Sequence, residues 1–80
     1  MKESILPIDL DNLGFIKDDE YRYLEVWIYE LENYTILVEF NNLSRHTSLR
    51  IYEPQFKDGS CIELPNATLE TIKNLIKAGQ

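Results

Sequence analysis

His46 is the only histidine of the 80 residues and Cys61 the only cysteine. His46 lies between Arg45 and Thr47, at a loop or strand start, and no nucleophile or orienting carboxylate stands at a recognisable spacing from it. One histidine and one distant cysteine do not make a zinc site. Cys61 opens a short apolar run with no cation next to it in sequence to lower its pKa, and it reads as structural. Carboxylates are plentiful: Asp18-Asp19-Glu20, Glu30 and Glu32, and Glu25 with Glu39 if a hairpin aligns them. General acid–base work needs such a pair held in a cleft in opposed environments, and a small sheet with one helix leaves little room for a cleft. "DLDNLGFIKDDE", residues 9 to 20, partly matches a calcium loop through Asp9, Asp11, Gly14, Ile16 and Glu20. Leu13 stands where a third oxygen ligand belongs, and the flanking helices that would hold such a loop are missing. Only three glycines occur, and none forms a phosphate-cradling loop. The residue types therefore point away from an enzyme, and no metal or cofactor is expected.

Aromatic and basic residues suggest another chemistry. Tyr23, Trp27 and Tyr52, with Arg22, Arg45 and Arg50, could stack and neutralise a nucleic acid on a sheet face. Glu25, Glu30, Glu39 and Glu53 would line the same sheet and repel phosphate. The whole chain carries 14 acidic against 8 basic residues, a net charge of −6, which opposes nucleic acid and anionic membranes alike. Direct RNA contact is disfavoured, and a protein partner with a basic surface is favoured. At 44% hydrophobic and 28% charged, the composition is that of an ordinary globular domain. A lone cysteine fits a reducing cytosol. Neither a signal peptide nor a stretch near the ~18 apolar residues of a membrane span is seen. A cytoplasmic location in a bacterial host is the expectation.

The elements that must position these residues follow from periodicity. Residues 1–80 form a single domain. A short helical turn over 9–13 ends at Gly14, and its apolar neighbours from Ile5 to Ile16 should pack on the sheet. "KDDE", 17–20, reads as a polar break. Strands are expected at Tyr21–Leu31, Tyr34–Asn41, Thr47–Glu53 and Cys61–Leu64, with a turn signalled by Asp58-Gly59. Leu69, Ile72, Leu75 and Ile76 place one apolar stripe on a helix over 67–78, capped by Asn66 or Thr68. The predicted fold is α+β: an antiparallel three- to four-stranded β-meander, a short N-terminal helical element, and a C-terminal helix on one face.

"YRYLEVWIYELENYTILVEF", 21–40, carries apolar residues on both parities, so its register decides which face is inside. A two-residue turn at Glu32-Asn33 sets Trp27 opposite Val38. It buries Trp27 and Tyr29 under the helix and leaves Leu24, Val26 and Ile28 outside, which is costly unless a second copy covers them. A three-residue turn, 32–34, sets Ile28 opposite Val38 and gathers Leu24, Val26, Ile28, Ile36, Val38 and Phe40 into one aliphatic layer. The second register is preferred. It frees an aromatic, acidic face of Tyr23, Glu25, Trp27, Tyr29 and Glu39, joined by Arg50 and Tyr52 of the third strand, as a partner-binding surface. On this reading Trp27→Ala removes binding and leaves the fold intact.

The layout of "LGF" at 13–15, a meander, and "TLETIKNLI" at 68–76 resembles the small proteins of phages and mobile elements, among them anti-CRISPR inhibitors. The resemblance implies an acidic, non-enzymatic inhibitor that binds a host nucleic-acid-handling protein, such as an RNA-guided Cas effector, its ribonucleoprotein or its guide-RNA groove. It carries over no site residue. A homo-oligomeric structural or assembly subunit, and a small RNA-contacting module, are the alternatives.

Overall fold

Pro7 has no N–H to lose at the first position of a helix, and Gly14 can take the left-handed conformation that closes one. Between them lies α1, Pro7–Leu13. Asp9 accepts the Leu6 N–H at 3.1 Å, which satisfies one orphan donor at the start. At the other end Gly14 has φ 101° and donates to the Asp11 carbonyl, while the Phe15 N–H reaches back to Leu10 at 2.9 Å. This double closure turns the chain sharply into the sheet and buries Leu10 and Phe15 together. The computed structural model describes residues 5–53 and 61–80, so the turn expected at Asp58-Gly59 lies outside the described residues.

The sheet has five antiparallel strands in sequence order: β1 Ile16–Tyr21, β2 Leu24–Glu30, β3 Thr35–Asn41, β4 His46–Tyr52 and β5 Ile62–Glu63. The last element is α2, Leu69–Gly79. The α+β meander expected from the sequence is therefore present, with one strand more than foreseen. The addition is β1, over the run read as a polar break. Its backbone pairs with β2 whatever its side chains are, and its exposed Lys17 and Asp18 carry no period-two apolar signal. A bulge between Lys17 and Asp19 and these charges suit an edge strand, since both discourage further pairing.

β2 and β3 pair with Trp27 opposite Val38, Tyr29 opposite Ile36 and Glu30 opposite Thr35. Leu31 donates to the Tyr34 carbonyl at 2.9 Å, which leaves Glu32-Asn33 as a two-residue turn. The preferred three-residue register is thus corrected. The physical reason is Tyr34. Its hydroxyl donates to the Leu75 carbonyl of α2, and its ring packs on the core beside Leu31. A side chain tied to the helix this close to the turn leaves only Glu32 and Asn33 to form it, and with that the inward side chains of β2 change face while Ile36, Val38 and Phe40 stay inside.

Both helices lie on one side of the sheet. One buried cluster joins Ile5, Leu10 and Phe15 from the N-terminal segment, Trp27, Ile36, Val38, Phe40 and Leu49 from the strands, and Ile72 from α2. α2 begins at Thr68, whose hydroxyl accepts the Thr71 N–H while Thr71 accepts the Thr68 N–H. Such reciprocal capping fixes the helix start next to the sheet. Its far end sits against the β2–β3 turn. A β-carbon added at Gly79 would come within 2.8 Å of Leu31 and 2.9 Å of the Tyr34 hydroxyl, so a larger residue there would have to push these side chains aside.

Candidate interaction surface

The seven residues expected on one surface are divided by the register. Glu25, Trp27 and Tyr29 point toward the helices. Glu39, Arg50 and Tyr52 point away from them. Tyr23 sits in the turn between β1 and β2, exposed, with its carbonyl accepting the Asn42 N–H at 2.7 Å.

Trp27 is 8% exposed and belongs to the core, which corrects its placement on an open aromatic face. Its environment satisfies the indole as well as packing it. Nε1 donates to Glu25 at 2.6 Å, and the Lys17 ammonium lies 5.8 Å from the ring centroid and 3.8 Å from Glu25. A buried indole N–H without a partner would be costly, and here a carboxylate takes it. Tyr29 meets Phe15 at 5.2 Å between ring centroids, tilted by 52°. The N-terminal segment therefore covers the aromatic parity of β2.

The opposite face is built from the other parity. Successive cross-strand rows are Ile16–Ile28–Leu37–Arg50–Glu63 and then Val26–Glu39–Ser48, with Leu24–Asn41–His46 beyond. Leu24, Val26, Ile28 and Leu37 are half-buried by their own neighbours, and Ile16 is 69% exposed. No described element lies over them: the helices are on the far side. Where β1 begins, a shallow groove of about 330 Å³, lined by Gly14, Ile16, Ile28, Tyr29 and Glu30, continues the face round the sheet edge.

The polar half of this face is ordered. The side-chain hydrogen bond of Arg50 with Tyr52 holds the guanidinium above its ordinary pKa, against partial desolvation and with help from the Glu39 carboxylate. Arg50 is therefore a fixed cation among aliphatic neighbours. Ser48, two residues before Arg50 in the same strand, is 7% exposed.

The other candidates resolve individually. The calcium-like segment splits between α1 and β1, and Asp9 already caps the helix. Among the described residues no three of His, Cys, Asp and Glu gather as metal ligands would. His46 is exposed at the start of β4, and Cys61 is exposed and unpaired. Asn41 binds the Leu43 and Ser44 N–H groups at 3.1 and 3.0 Å, which shapes the loop where Arg45 takes a left-handed φ of 58°. No helix of the described residues is long and apolar enough to cross a membrane.

Sequence reasoning weighed Leu24, Val26 and Ile28 as an exposed patch under the two-residue turn, but preferred the register that places them in the core. The signal lay in Tyr34, an amphipathic residue at the turn that could reach a helix only if it stayed in the strand. No family model, no curated protein and no solved structure matches this chain.

Proposed function

We propose that this chain is a non-enzymatic interaction protein whose contact surface is the open face of the sheet. The observation that supports the reading is the aliphatic patch of Ile16, Leu24, Val26, Ile28 and Leu37 on the side without helices. An apolar centre with Arg50, Tyr52 and Glu39 beside it has the anatomy of a protein interface, where an apolar core meets a polar rim. The inhibitor and the assembly subunit both use such a face. They differ in what covers it. For the inhibitor, the resemblance to phage proteins implies a host nucleic-acid-handling protein, and the charge of −6 suits a basic surface there.

Leu37→Glu tests the reading, because it places a charge at the centre of the patch without touching the core. Tagged wild-type and variant chains are compared for what they retain from a bacterial host extract. If a foreign protein covers the face, proteins held by the wild type and lost by the variant are expected. Equal retention by both removes a partner from the extract as the occupant of this face. For the inhibitor, excess wild-type chain added to RNA-guided DNA cleavage should slow it; unchanged cleavage sets that partner aside.

A further inference from the structure

We infer that the occupant of the open sheet face is a second copy of this chain, packed face to face about a two-fold axis. The inference rests on the reading of that face as a contact surface and names what covers it.

The argument is the self-complementarity of two rows. Ile28–Leu37–Arg50 and Val26–Glu39–Ser48 run side by side across β2, β3 and β4, roughly 7 Å apart by the rise of a strand. A two-fold axis lying between the sheets, along the boundary of these rows, sets each row on the other row of the second copy. Ile28 then packs on the partner's Val26, and Leu37 on the stem of the partner's Glu39. Arg50 arrives over the partner's Ser48, the smallest side chain of the two rows. The carboxylate of the partner's Glu39 lies one strand spacing, about 5 Å, to the side. Every contact occurs twice, so the two guanidiniums meet two carboxylates and neither cation faces its like.

β1 to β4, about 4.8 Å apart and six or seven residues long, give a face of roughly 20 by 20 Å, and two such faces bury about 800 Å² or somewhat more, the size of a weak, concentration-dependent contact. Aligned packing at about 30° between sheets is the ordinary arrangement for faces of this kind.

The experiment uses the full chain in light scattering coupled to size separation, over a wide dilution series. The wild type is expected near 19 kDa, twice the 9.4 kDa of one chain, and Leu37→Glu near 9.4 kDa with unchanged circular dichroism. Two charge variants isolate the contact between copies. Glu39→Arg alone sets Arg50 against an arginine of the other copy, and Arg50→Glu alone sets two carboxylates together. Each is expected to be monomeric, and an equimolar mixture of the two is expected to restore the dimer, because the mixed pair regains both opposite-charge contacts. A role confined to one chain cannot produce rescue by mixing. A wild type that stays at 9.4 kDa, a dimer indifferent to Leu37→Glu, or a mixture that stays monomeric each overturns the inference. A monomeric wild type that still loses its retained proteins on Leu37→Glu would leave the contact surface standing with a different occupant.

Discussion

At the scale of single residues, three side chains decide how the hairpin is read. Trp27 fills the core beneath the helices and is held by Glu25 and Lys17. Trp27→Ala is therefore expected to cost about 3–5 kcal/mol, the range for deleting a large buried aromatic. A chain of 80 residues has little more than that in total, so urea unfolding should show the variant largely unfolded in water. Trp27→Phe, which keeps most of the volume and forgoes the hydrogen bond, should lose about 1–3 kcal/mol. Tyr34→Phe removes the hydrogen bond to the Leu75 carbonyl and nothing else, and a loss of about 1 kcal/mol is expected in the same assay. Gly14 holds a φ of 101°, and a β-carbon there would stand 3.3 Å from the Tyr29 ring. Gly14→Ala should cost more than about 1 kcal/mol, whereas at a relaxed position the same change is stabilising.

At the scale of elements, the register of β2 and β3 is held by burial on the helix side and not by the turn. Glu32-Asn33 lacks the glycine that favours a tight two-residue hairpin. Adding one glycine between them should lengthen the loop, leave Trp27 opposite Val38, and cost less than about 1 kcal/mol, since loop closure depends weakly on length. A change in Trp27 burial in that variant would show that the turn dictates the pairing. Thr68→Ala removes the cap of α2 and should cost about 1 kcal/mol. The strands beyond β1 and both helices were legible in the sequence, because alternation, the stripe from Leu69 to Ile76, and the breakers Pro7 and Gly14 each carry a local signal. β1 was not, because an edge strand needs no apolar parity. The register was not, because both parities of 21–40 are apolar and the choice is made by a contact between Tyr34 and Leu75, 41 residues apart. The candidate surface failed with it: Glu39, Arg50 and Tyr52 stand together on the open face, and Glu25, Trp27 and Tyr29 went inside.

At the scale of the whole molecule, the Cα extents of 32 × 27 × 21 Å accommodate a sheet and one helical layer, each about 10 Å deep. Among the described residues the two short helices cover one face, and the other carries the aliphatic centre of Ile16, Leu24, Val26, Ile28 and Leu37. The chain contains a single tryptophan, so its fluorescence reports Trp27 alone. The most direct measurement is iodide quenching of that fluorescence in folded Leu37→Glu, where any covering of the open face by another chain is removed. Blue-shifted emission and weak quenching are expected, because Trp27 lies under the helices whatever happens on the other side. Emission at the wavelength of a water-exposed indole, quenched as fully as in the unfolded chain, would contradict the register, the open aliphatic face and the function built on it.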